Sequence, residues 1–150
     1  MNKKLKATFR NKPYPLAIEM RPLWRICLVI LIIKNMIIKN RATDLKKLNI
    51  LLWMTIKHQN RQIFERFLLD KNAPIPFISS DQANYVAIEL AFNKDFIKLS
   101  YDEKIYLTSK SEHLYNLIIE NNLFKDEIDF MSNFGYRLTQ KNIDKIIGKS

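Results

Sequence analysis

The chain has 150 residues, with 25 Lys and Arg against 15 Asp and Glu, one cysteine and two glycines. That length suits one domain with a substantial core, since a chain of this size buries roughly 70% of its unfolded surface. With only Gly135 and Gly148 present, the Walker A loop, the dinucleotide fingerprint and the nucleophile elbow are excluded, because each needs glycines for close backbone approach. No cofactor is expected. A lone Cys27 excludes a disulfide framework and a cysteine-rich zinc site, and without a signal-peptide pattern the expected compartment is a reducing cytoplasm.

The net charge of +10 points to nucleic acid or anionic lipid, because Lys and Arg neutralise phosphates and release counterions. Ile, Lys and Asn together supply 53 residues, so part of the lysine excess reflects an AT-rich coding bias. Position is more informative. Residues 1–66 carry 15 basic and 3 acidic side chains, and residues 67–150 carry 10 basic and 12 acidic. The charge is therefore an N-terminal property, which marks an interaction surface.

Residues 1–15 hold Lys3, Lys4, Lys6, Arg10 and Lys12 and end in Pro13-Tyr14-Pro15, a pattern that predicts a basic extended arm. Residues 16–150 are expected to form a single domain. Pro22 suits a first helical position, and Leu23 to Ile38 is apolar except for Arg25, Lys34 and Asn35. Its longest uninterrupted apolar stretch, Ile26 to Ile33, falls well short of the roughly 20 residues of a membrane span, so a buried core or interface helix is expected. Thr43 is the expected cap of a helix over 44–57, with Leu45, Leu48, Leu52 and Ile56 on one stripe. A third helix is expected to start at Asn60 and to stop before Asn72 and the Pro74–Pro76 segment.

Asp81 is placed to cap a fourth helix, with Ala83, Ala87, Leu90 and Ala91 turned inward. Two short strands, Phe96 to Ser100 and Ile105 to Thr108, are predicted to flank the polar turn Tyr101-Asp102-Glu103-Lys104 as a hairpin. Helices over 109–122 and 125–134 follow, the second ended by Gly135 as a left-handed stop, and Thr139 caps a last short helix. The fold class these elements predict is mainly α (α+β): a winged helix-turn-helix with one β-hairpin wing and extra C-terminal helices.

No catalytic set is apparent. His58 and His113 are far apart in sequence and lack carboxylate or cysteine at metal-ligand spacing. His58, following Lys57, reads as an imidazole at a helix C-terminus. Asp102-Glu103 falls in a turn tip and Asp126-Glu127 at a helix N-terminus, both ordinary places for carboxylates. Cys27, inside an apolar run, reads as an inert small hydrophobe.

A base-reading helix needs Arg, Lys, Asn or Gln aimed at base edges. The periodicity instead gives the outer face of the fourth helix as Tyr85, Ile88, Glu89 and Phe92, apolar, aromatic and slightly acidic. That composition favours protein over phosphate. Phosphate contacts are expected from Lys3, Lys4, Lys6, Arg10 and Lys12 in the arm, from Lys46 and Lys47, and from the wing residues Lys98 and Lys104.

Over residues 13–147 the order of features resembles the small middle component of three-component ABC systems, including the accessory subunit of Lamassu-type anti-phage and anti-plasmid defence. The resemblance rests on Pro13 to Glu19, on Arg21-Pro22-Leu23-Trp24-Arg25 before an aliphatic helix, and on Lys47-Leu48-Asn49-Ile50-Leu51-Leu52-Trp53. It continues through Pro74 to Phe77, the helix Ala83 to Phe92, the wing end Tyr106-Leu107-Thr108 and the stretch Gly135 to Thr139. Ser111 stands where winged helices usually carry a glycine soon after the wing.

The resemblance implies a non-catalytic subunit that tethers an effector, often a nuclease, to an SMC-like or Rad50-like ATPase. ATP would then belong to the partner. Arg21, Trp24, Tyr85, Ile88 and Phe92 are the partner-binding candidates, and duplex DNA would be held non-specifically, with no role for a membrane. A free-standing winged-helix transcription regulator is the competing expectation. It differs in requiring a symmetric dimer on one operator.

Overall fold

The computed structural model describes residues 21–37, 42–78 and 81–148. The basic arm, with Lys3, Lys4, Lys6, Arg10 and Lys12, lies outside the described residues. The fold is mainly helical, with seven α-helices among the described residues and a small antiparallel sheet.

The first helix, α1 (Pro22–Met36), starts with Pro at N1 and is buried without a break from Arg25 to Ile33. Leu28 to Ile33 have no exposed surface at all. A helix apolar on every side must be covered on every side, and α1 is wrapped by elements from the rest of the chain. The expected core helix is thus central to this domain rather than held open for a partner. No helix among the described residues is long and apolar enough to cross a membrane.

Strand β1 (Ala42–Thr43) leads into α2 (Leu45–Ile56). Asp44, not Thr43, caps α2, its Oδ1 accepting from Lys47 N at 2.7 Å. Thr43 is instead buried in the sheet. One extended residue, Lys57, separates α2 from α3 (His58–Leu69). The last carbonyls of α2 have no intrahelical partners, and α3 supplies them: Asn60 Nδ2 donates to Trp53 O at 2.8 Å and Arg61 Nη1 to Thr55 O at 2.6 Å. His58 therefore opens a helix rather than closing one, and it is exposed.

Helix α4 (Gln82–Asn93) precedes the hairpin of β2 (Ile97–Leu99) and β3 (Ile105–Leu107). The strand order is β1-β3-β2, with Thr43 opposite Ile105, Ala42 opposite Tyr106 and Lys98 opposite Tyr106 on the far side. Ile97 and Ile105 turn into the core. Helices α5 (Ser109–Glu120), α6 (Lys125–Phe134) and α7 (Gln140–Ile147) complete the domain. Thr139 caps α7 as expected, its Oγ1 accepting from Asn142 N at 3.3 Å.

The two glycines differ from expectation. Gly135 has φ −56° and opens a short 3-10 turn, Gly135–Arg137, where it is packed against Met36. Gly148, at φ 94°, is the left-handed stop, and it ends α7. The left-handed residue at the start of α6 is Phe124, at φ 58° and ψ 36°. Its ring centroid lies 5.2 Å from that of Trp24.

Candidate functional site

The N-terminus of α4 rests on a buried cation. Arg25 projects from α1 with its side chain 4% exposed. Its Nη1 donates to Asp81 Oδ2 at 3.0 Å and to Asn84 Oδ1. Asn84 Nδ2 donates in turn to Asn49 Oδ1 of α2 at 3.2 Å. Asp81 uses its other oxygen, Oδ1, to accept from Ala83 N at 3.0 Å as the cap. One guanidinium thus fixes where α4 begins and how it is rotated about its axis. An Arg at this depth needs such a full set of acceptors, since an unpaired buried charge is very costly.

That rotation corrects the expected faces of α4. Asn84, Ala87, Ile88 and Ala91 point inward. Ile88 is 4% exposed and belongs to the core, so it is not a partner-facing residue. Gln82, Val86, Glu89 and Asn93 are exposed, while Tyr85 and Phe92 are half-buried at the edges of that face. Phe92 leans on the core. The outer face carries no Lys or Arg and one carboxylate, Glu89.

Arg21 and Trp24 belong to a separate surface. With Leu23, Cys27, Leu123 and Phe124 they line a groove of about 420 Å³ between the starts of α1 and α6. Leu23 and Leu123 are exposed at its edge. Burial pushes the Cys27 thiol up from 9.0 to about 11, which keeps it protonated and unreactive.

Of the four described lysines singled out for phosphate contact, Lys98 and Lys104 come from neighbouring strands of the sheet, and Lys46 and Lys47 stand in the first turn of α2. Lys104 Nζ lies 3.8 Å from Asp44 Oδ2, and Asp44 caps the helix whose first turn holds Lys46 and Lys47. Lys98 is exposed on β2, one strand across. Beside them a cleft of about 400 Å³ is lined by Lys34, Ala42, Tyr106, Leu107, Thr108, Ser109 and Glu112. Lys34 closes its far side, paired with Glu112 at 2.9 Å and lying 5.0 Å above the Tyr115 ring. The sequence missed this cleft because β1, two residues long, becomes a strand only by pairing with β3 some sixty residues later.

Among the described residues, no group of His, Cys, Asp and Glu is arranged to hold a metal ion. No protein-family model, curated protein or solved structure matches the chain.

Proposed function

We propose that this chain is a winged-helix, non-catalytic subunit that bridges an SMC-like or Rad50-like ATPase to an effector nuclease in a Lamassu-type defence complex, and helps to hold DNA non-specifically. The observation that carries the reading is the outer face of α4. In a winged helix-turn-helix the helix before the wing is the one presented to bases. Here its exposed residues are Gln82, Val86, Glu89 and Asn93, with Tyr85 and Phe92 at the margins. Gln82 and Asn93 are of base-reading type, but each stands alone at one end of the helix; without Arg or Lys on the face, and with Glu89 repelling phosphate, it suits a protein surface better than a groove of DNA.

Two further features support the winged-helix part. A strand after the first helix joins the outer side of the later hairpin, giving the order β1-β3-β2. The hairpin follows α4 directly. Phosphate contact then falls to Lys3, Lys4, Lys6, Arg10 and Lys12 and to Lys46, Lys47, Lys98 and Lys104, none of them a residue of α4, and such contacts carry no sequence information. The same absence of basic residues argues against a free-standing regulator.

Co-expression with the genes on either side, followed by pull-down on a tag at this chain, tests the proposal. The expected result is co-purification with an ATPase that carries a Walker A motif and long heptads, weakened by Val86→Glu or Tyr85→Ala. A symmetric dimer that binds one operator tightly, with no such partner, would overturn it.

A further inference from the structure

The outer face of the sheet combines an aromatic ring with flanking cations. Ala42, Tyr106 and Lys98 form one cross-strand row. Alternation along β3 puts Lys104, Tyr106 and Thr108 on this face and Ile105 on the core side, as its burial confirms. Antiparallel pairing continues past the strand end, Ser100 N donating to Lys104 O at 2.8 Å. Lys98, directly across from Tyr106, and Lys104, two residues before it along β3, are thus diagonal neighbours on this face, close enough to act together. The cleft of about 400 Å³ opens alongside the tyrosine. Hydroxyl-bearing Thr108 and Ser109 lie on its wall.

We propose that this face binds single-stranded nucleic acid, with one base stacked on Tyr106 in the cleft and the adjoining phosphates on Lys98 and Lys104. Sequence-tolerant binding of single strands needs a ring on which a base can stack and a cationic track for the backbone. A duplex offers no free base face to Tyr106, so the ring discriminates between the two forms. Lys46 and Lys47 follow Asp44 in the first turn of α2. The opposing charges are few. Asp44 faces Lys104 across an exposed pair at 3.8 Å, a contact weak enough to yield to a phosphate. Asp102 and Glu103 stand at the hairpin tip, beyond Lys104, and would repel phosphate there rather than at Tyr106. Glu112 is engaged by Lys34.

The inference deepens the DNA-holding part of the proposed function and is independent of which proteins the chain bridges. Fluorescence anisotropy of the full chain with labelled dT20, rU20 and a 20-base-pair duplex tests it. Wild type is expected to bind at least one of the single strands more tightly than the duplex. Tyr106→Ala is expected to weaken single-strand binding about 5- to 150-fold, one stacked base at the usual scale, and to leave duplex binding unchanged. Tyr106→Phe keeps the ring and is expected to keep the affinity, while Lys98→Glu with Lys104→Glu weakens both forms. Circular dichroism of each variant confirms that it is folded. Equal affinity for single strand and duplex, or a folded Tyr106→Ala that binds single strands within twofold of wild type, would overturn the proposal. A negative pull-down with an intact Tyr106 effect would instead overturn the bridging role alone.

Discussion

Helices α1 and α4 pack against each other, yet they relate to solvent in opposite ways. From Arg25 to Ile33 every residue of α1 is buried. In α4 only the stripe Asn84, Ala87, Ile88, Ala91 is buried. The first is a pillar whose tolerance for change is set by packing, and the second is a one-sided helix with a face left for something else. The proposed bridging role would use both: a packed frame and a surface whose chemistry is not committed to the frame.

Substitutions along these two helices sharpen the contrast. Leu31→Ala, in the middle of the pillar, is expected to cost about 2–5 kcal/mol in urea denaturation, because the closed surroundings cannot collapse on the void. Ile88→Ala is expected to fall at the lower end of that same range, and a value near zero would show that α4 is rotated the other way. Arg25→Ala comes next, at roughly 1.5–3 kcal/mol for lost hydrogen bonds to a charged group. Part of that cost falls on the buried Asn84, whose Oδ1 loses its donor, whereas Asp81, 38% exposed, is rehydrated.

A smaller effect is expected from Cys27, which keeps an edge on the groove. Its thiol is raised by burial from 9.0 to about 11, so the protonated form is the one the fold favours. The sign of the linkage follows: this contribution is complete below pH 9, and it fades as pH rises from 9 towards 11. Denaturation curves across that window should fall more steeply for wild type than for Cys27→Ala. Val86→Glu, on the open face of α4, is expected to change stability by no more than about 0.5 kcal/mol, while weakening partner capture. A large loss of stability would mean that this face is structural after all.

Most helices were legible because their stripes are local. Asp81 and Thr139 announce their helices by residue type alone, and both act as caps. The hairpin around Tyr101 to Lys104 was legible for the same reason. What escaped the sequence is non-local. Asn84 looks like a surface residue until Arg25, fifty-nine positions earlier, draws it inward and turns Ile88 with it. The strand Ala42–Thr43 has no pattern of its own, and once it forms, Thr43 is occupied and the capping role passes to Asp44. His58 opens a helix where the sequence predicts the end of one, because a one-residue break at Lys57 leaves no glycine or proline to mark it. The groove at Arg21 and Trp24 has no local signature, since Leu123 and Phe124 reach it only through the turn that precedes α6.

Phe124 gives that turn a consequence of its own. A bulky side chain in the left-handed region holds its backbone at a cost of about 1–3 kcal/mol, and the conformation persists because the ring is seated on Trp24. The corner between α5 and α6, held in the backbone by Leu123 N donating to Ile118 O at 3.0 Å, thus has an aromatic tie to a distant part of the chain. The first turn of α1 and the start of α6 share one contact, so a change at Trp24 is felt at a residue a hundred positions later.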